Sequence, residues 1–182
     1  MTELRKICIY CGSGPGANPN YITAAQNFGR ICAQHNIGIV YGGANIGIMG
    51  EVASATLEAG GHVTGVLPKF WYKSTLMHGG LSDLIITETM HERKQTMHDL
   101  SDGFVALPGG IGTLEELVEM MTWSQLNLHS KPIVIANIDR FWQPLIFLLE
   151  HMSADEFIRD GLHVPFQVAD TVEDILPKLQ GI

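Results

Sequence analysis

Short apolar runs alternate with longer amphipathic ones along the whole chain. The short runs, rich in Ile, Val and Leu, predict strands over residues 7–11, 38–41, 62–67, 84–88, 104–107, 132–137 and 164–168. Between them, helical spacing of apolar residues predicts helices over 21–35, 48–59, 90–101, 112–128, 143–151 and 172–179. Strand–helix alternation of this kind predicts the α/β class: a Rossmann-like, doubly wound parallel sheet with helices on both faces, one domain over residues 1–182. In such sheets ligands bind beyond the carboxyl ends of the strands, near the point where strand order reverses. The least regular stretch, residues 69–82, holds Trp71, Tyr72, Met77 and His78 and predicts a loop over that site.

Three strand ends run into glycine-rich loops. The most informative is the last. Phe104 to Leu107 reads as a buried strand, and Pro108 stops it for want of an N–H. Gly109, Gly110 and Gly112 let the backbone approach another group closely, and Ile111 lies among them. Thr113 suits an N-cap, and a helix follows. Such a loop aims free N–H groups and the positive end of a helix dipole at one point, where a phosphate is the natural ligand. Glu115 and Glu116 come next. Thr113-x-x-Glu116 fits a capping box, so a purely structural reading of Glu116 stands beside a chemical one. Three glycines are more than capping needs, which tips the balance toward a ligand.

The first loop, Cys11-Gly-Ser-Gly-Pro-Gly16, formally fits a dinucleotide fingerprint as Gly12-x-Gly14-x-x-Ala17. That fingerprint needs an acidic residue after the second strand for the ribose. None lies between Glu3 and Glu51, so hydride transfer is poorly supported. Ser13 and its glycines still suit a small polar ligand such as a phosphate, with a plain strand-to-helix turn as the alternative. In the second loop, Gly42 and Gly43 allow backbone to approach a ligand. Gly47 and Gly50 fit close packing of a helix on the sheet, and Glu51 favours that helix's N-terminus.

On the 90–101 helix, Arg93 lies three residues after Met90 and four before Met97, on their apolar stripe. A guanidinium aimed inward needs a carboxylate, a ligand oxygen or both. Lys94 beside it suits a phosphate as a point charge. The alternative is a solvated cluster of Glu92, Arg93, Lys94 and His98. His91 and His98 lack metal-ligand spacing with an acidic third partner, so no metal and no cofactor are predicted.

Composition narrows the partners. A net charge of −8 argues against a general electrostatic grip on nucleic acid. No apolar run reaches membrane-spanning length, and the first residues lack a signal-peptide layout. Cys8, Cys11 and Cys32 are an odd, sparse set that suits a reducing cytoplasm. Cys8-x-x-Cys11 is the one candidate redox pair, and packing of Cys8 in a strand is the competing reading.

A phosphate cradle, a carboxylate and an inward arginine at one sheet edge fit cleavage of a nucleoside 5′-monophosphate at its glycosidic bond. That bond breaks through an oxocarbenium-like state, which a carboxylate stabilises or assists by activating water. There is no Gly-Lys-Ser/Thr loop and no serine elbow.

The residues also carry a resemblance. Pro108-Gly-Gly-Ile-Gly-Thr-Leu-Glu-Glu116 and Met90-His-Glu-Arg-Lys94 resemble the paired signatures of the LONELY GUY (LOG) family. Its members are cytokinin riboside 5′-monophosphate phosphoribohydrolases, often mislabelled lysine decarboxylases. Cys11-Gly-Ser-Gly-Pro-Gly16, Tyr41-Gly-Gly, Gly47-Ile-Met-Gly50 and Thr122-Trp-Ser-Gln125 look like the family's as well, so nearly the whole chain is covered. The resemblance implies hydrolysis of AMP or N6-substituted AMP to free base and ribose 5-phosphate. It implies Arg93 and Glu116 as the catalytic pair, with Lys94, the loop from Gly110 to Glu115 and Thr122 binding nucleotide. It also implies a homodimer or larger homo-oligomer with sites near the interface. Met120, Met121, Trp123 and Leu126 put apolar residues on more than one helix face, which fits a helix covered by a second copy. The segment His78-Gly-Gly-Leu-Ser-Asp83 departs from the family, being shorter and without the glutamate expected at the substrate site. The rival expectation is a non-catalytic protein of related fold that binds or carries a phosphorylated nucleotide or cofactor. Arg93 and Glu116 discriminate, because a pure binder needs no such pair.

Overall fold

The structure, a computed structural model, describes residues 4–72, 77–158 and 165–181. Seven strands form one all-parallel sheet: β1 (Lys6–Tyr10), β2 (Gly38–Tyr41), β3 (Val63–Pro68), β4 (Asp83–Thr87), β5 (Gly103–Ala106), β6 (Ile133–Ala136) and β7 (Gln167–Ala169). Six helices connect them: α1 (Asn20–Gln34), α2 (Gly47–Glu58), α3 (Met90–Asp99), α4 (Ile111–Gln125), α5 (Gln143–Ala154) and α6 (Ile175–Gln180). The Rossmann-like reading is thus what the chain adopts. The predicted start of the last strand at Val164 lies outside the described residues, as do residues 73–76 of the irregular stretch.

The sheet order is β4-β3-β2-β1-β5-β6-β7. From β1 the chain winds outward to β4, then returns to the centre and winds the other way from β5. The reversal lies between β1 and β5, paired from Ile7 with Gly103 to Tyr10 with Ala106. The two strands' loops part there and leave the crevice that parallel sheets offer to ligands.

The central strands are apolar on both faces because both are covered. On one side Ile9, Ile39, Tyr41 and Val105 pack with Phe28, Val52 and Leu176, from α1, α2 and α6. On the other, Tyr10, Val66, Phe104 and Ile135 pack with Met97 of α3, Leu117 and Met120 of α4 and Leu145 of α5. Strand alternation sends Cys8 into the second layer and Cys11 into the first, and both thiols are free, so the two form no redox pair. Among the described residues, no helix is long and apolar enough to cross a membrane.

Gly47 takes φ +54° at the start of α2, and a Cβ there would collide with the Ser13 carbonyl. The glycine is needed because α2 begins hard against the β1 loop, with Met49 N–H donating to Gly12 O at 3.1 Å. This is the packing role expected of it. Glu51 does not serve the helix end electrostatically alone: it accepts a hydrogen bond from Gln26 Nε2 at 2.6 Å.

Candidate active site

The β1 loop, the β2 loop, the turn after β3, the segment at Met77, the start of α3 and the β5–α4 loop meet at the β1–β5 switch. They enclose a cavity of ≈ 650 Å³. Its glycine wall is Gly12, Ser13 and Gly110 to Thr113, with Glu115 and Glu116. The facing wall is Gly42, Ala44, Ile46, Met49, Leu67, Trp71, Met77, Met90 and Arg93.

Helix α4 starts one turn earlier than a Thr113 cap would require. Gly110 is its N-cap, in extended backbone, and no side chain caps it. Thr113 lies inside the first turn and is buried. The expected Thr113–Glu116 capping box therefore does not form. A capped helix end would have its N–H groups occupied; this one leaves its first-turn donors facing the cavity. The capping box sits instead at α3. Thr89 accepts from Glu92 N–H at 3.1 Å, and Glu92 Oε2 accepts from Glu88 N–H at 2.7 Å. Thr89-x-x-Glu92 has the same local signature as Thr113-x-x-Glu116.

That cap fixes the rotation of α3 and turns Arg93 inward, where it is 4% exposed. Its Nε donates to Val66 O at 3.0 Å, and its Nη1 donates to Glu116 Oε1 at 2.7 Å. Gly42 leaves the guanidinium its room: a Cβ there would lie 2.7 Å from Nη2. Glu116 is thus a buried carboxylate with one strong partner. Burial pushes its carboxyl above the ordinary value, and the adjacent Arg93 charge and hydrogen bond pull it back only in part. A carboxyl raised in this way holds a proton more readily than a surface glutamate, which suits it to proton transfer.

Not every expected ligand residue reaches the cavity. Ser13, Gly110, Ile111, Gly112, Thr113 and Glu115 line it with Arg93 and Glu116; Gly43, Lys94, Gly109 and Thr122 do not. Gly109 packs against the β1 loop, where Gly12 N–H donates to Pro108 O at 3.1 Å. Gly43 gives its carbonyl to His78 N–H at 3.1 Å, and an antiparallel bridge from Ala44 to Met77 completes the tie. His78 Nδ1 accepts from Gly80 N–H, so Nε2 carries the proton and donates to Ser54 Oγ at 3.1 Å. Burial lowers the His78 imidazole, in keeping with this neutral latch. Lys94 donates to Glu115 at 2.6 Å and Glu119 at 3.0 Å. Thr122 is exposed on the outer face of α4 and donates back to Val118 O at 2.7 Å.

Sequence reasoning reached the facing wall only in part, at Gly42 and Arg93. The irregular stretch pointed to Trp71 and Met77 as loop residues, and the Arg93 stripe named Met90. Met49 and Leu67 carried no signal of their own, since an apolar residue next to a strand end reads as core. Cys11 lines the cavity, but burial pushes its thiol well above its ordinary value, which makes it a wall and not a nucleophile.

Residues 49–179 match the family model described as "Possible lysine decarboxylase". Among curated proteins, the chain is 42% identical to the cytokinin riboside 5′-monophosphate phosphoribohydrolase of Rhodococcoides fascians, over 97% of this chain and 90% of that protein. It is 37% identical to the Oryza sativa subsp. japonica enzyme of the same name, LOG, over 98% of this chain and 74% of that one. Solved structures of the same fold include the molybdenum cofactor binding protein of Rippkaea orientalis, at TM-score 0.74 and 20% identity over 100% of this chain and 98% of that one. The Moco carrier protein of Chlamydomonas reinhardtii follows at TM-score 0.72 and 23% identity, over 98% and 97%. At such identities the carriers speak for the fold alone. The phosphoribohydrolases are related over almost the whole chain at 37% and 42% identity, and by that relation the chain belongs to the LOG family.

Proposed function

We propose that this protein hydrolyses the N-glycosidic bond of AMP or of an N6-substituted AMP, a cytokinin riboside 5′-monophosphate, to free base and ribose 5-phosphate. The observation that carries the reading is the Arg93–Glu116 pair, 2.7 Å apart and largely buried, lining the same cavity as the uncapped N-terminus of α4. The first-turn N–H groups of Ile111, Gly112 and Thr113, with Ser13 opposite, hold the 5′-phosphate. This puts C1′ of the ribose beside the pair. As the C1′–N9 bond breaks, its electrons leave with N9 and positive charge develops on the ribosyl ring. Glu116 stabilises that charge and takes a proton from the attacking water, whose oxygen bonds to C1′; the base takes up a proton at N9 or elsewhere on the ring. Arg93 holds the carboxylate in register and favours its ionised form against burial. Water is the only co-reactant.

The protein acts as a homodimer or larger homo-oligomer in the cytoplasm on this reading. Ile111, Val118 and Leu126 are exposed on the same outward stripe of α4 as Thr122, beginning at the cavity rim. A second copy covering that stripe brings the two sites near the interface and gives Thr122 a place beside nucleotide. Val118→Arg is expected to shift the sedimentation profile toward monomer; an unchanged profile removes α4 from the interface.

Product analysis by chromatography tests the activity. The protein is incubated with AMP, N6-isopentenyl-AMP, GMP and adenosine, beside Glu116→Gln. Free base from the monophosphates, none from adenosine and none above background from the variant is the expected result. Bound AMP with no base released from any nucleotide would falsify the hydrolase and leave a carrier.

A further inference from the structure

The cavity wall facing the glycine loop has a chemistry that the Arg93–Glu116 pair does not use. Four of its side chains, Met49, Leu67, Met77 and Met90, are flexible and aliphatic. Another, Trp71, is the one aromatic side chain among the described lining residues. It sits in the turn that follows β3, closed by its own N–H donating to Pro68 O at 2.9 Å. Its ring is held from two directions: Arg93 Cζ lies 5.9 Å from the centroid, and Phe70 packs edge-on with centroids 5.3 Å apart. Even so Trp71 is 45% exposed, and it belongs to neither core layer. The guanidinium thus lies over part of the indole, and the rest of its planar surface is exposed.

We infer that Trp71 is the platform on which the substrate's base stacks, and that it sets a preference for purine-sized bases. This rests on the nucleotide reading above, and the geometry follows from it. The phosphate lies at the first turn of α4, and Glu116 and Arg93 act at C1′. The base projects from C1′ away from the phosphate, onto the wall beyond Arg93, where Trp71 offers the planar partner. A purine covers more of an indole than a pyrimidine does. Stacking of this kind holds substrate and transition state alike, so it appears in KM and not in kcat.

Steady-state kinetics of Trp71→Ala and Trp71→Phe with AMP and CMP test the inference, with ribose 5-phosphate as a base-free inhibitor. Trp71→Ala is expected to raise KM for AMP roughly 5- to 150-fold, the range of one base–aromatic stack. Its kcat stays within about threefold, its AMP-over-CMP preference shrinks, and its inhibition by ribose 5-phosphate is unchanged. Trp71→Phe recovers part of the loss. A separate readout needs no turnover: AMP quenches tryptophan fluorescence in the native protein and not in Trp71→Phe, which keeps Trp123 and Trp142. An unchanged KM in Trp71→Ala overturns the platform. So does a loss of ribose 5-phosphate inhibition in step with AMP, which would make Trp71 a support for the loop and not for the base. If the native protein quenches with AMP but releases no base, the hydrolase reading falls and the platform stands. If AMP neither quenches nor reacts, both fall.

Discussion

Helices α3 and α4 are joined by two sets of charges that are neighbours in sequence and opposite in character. Arg93 meets Glu116 with side-chain exposures of 5% and 14%. Lys94, the next residue, meets Glu115 and Glu119; Glu115, next to Glu116, is 53% exposed. Both sets bridge the same two helices, yet only in one do both partners line the cavity. In the inner pair a single carboxylate is dried out, held by one fork of an arginine, and faces the cavity. In the outer set one ammonium is shared by two carboxylates, and Lys94 is not among the residues lining the cavity. Burial lowers the Lys94 ammonium, but the hydrogen bonds to Glu115 and Glu119 outweigh it and hold it above its ordinary value. Oε2 of Glu119 is buried without a hydrogen-bond partner among the described residues, so the outer set is not fully satisfied either. The lesson is that charge type does not separate a catalytic pair from a clamp. What separates them is which face of the helix the residue occupies and whether the counter-charge saturates it.

The comparison breaks most readily at the inner pair. Glu116→Gln keeps the shape and an acceptor for Arg93, and is expected to lower kcat about 100- to 10,000-fold with a native unfolding midpoint. Arg93→Ala removes the same activity and also strands a buried carboxylate, costing about 3–5 kcal/mol in denaturant unfolding. An Arg93→Ala protein with full activity would end the assignment of the pair.

Acidity sharpens it next. The Glu116 carboxyl is raised by burial, so the acid limb of kcat/KM lies above the ordinary carboxylate range, activity falling as pH drops through it. Stability runs the other way. The folded chain binds this proton more tightly than the unfolded chain does. The group's stabilising contribution is therefore complete below the unfolded value and is lost as pH rises through the folded one. Unfolding curves of the native protein and Glu116→Gln, between about pH 4 and about pH 8, should differ by that slope.

The smallest effect belongs to the outer set. Lys94→Gln is expected to cost about 1–2 kcal/mol of stability, since one of its partners stands in water. Its loss of kcat should be far smaller than that of Glu116→Gln, as single-turnover rates would report. Losses of equal size would erase the distinction between clamp and catalyst.

Much of this was present in the order of residues. Alternating apolar runs dictate a parallel sheet, because strands that must be buried on both faces need helices between them. Glycines after a strand and before a helix mark a loop that approaches a ligand. Arg93, three and four residues from Met90 and Met97, had to face inward by helical periodicity alone. What the one-dimensional pattern did not decide was contact between segments distant along the chain. Thr113-x-x-Glu116 and Thr89-x-x-Glu92 are equivalent as local signatures, and only the position of Pro108 and Gly109 against the β1 loop decides where α4 begins. Lys94 and Arg93 look alike in sequence; the rotation of α3 separates their partners, because adjacent helical residues point about 100° apart. Trp71 and Met77 gain their meaning when the chain after β3 is brought beside Arg93. Local spacing determines which residues share a face, while the packing of faces from distant segments determines which of them meet.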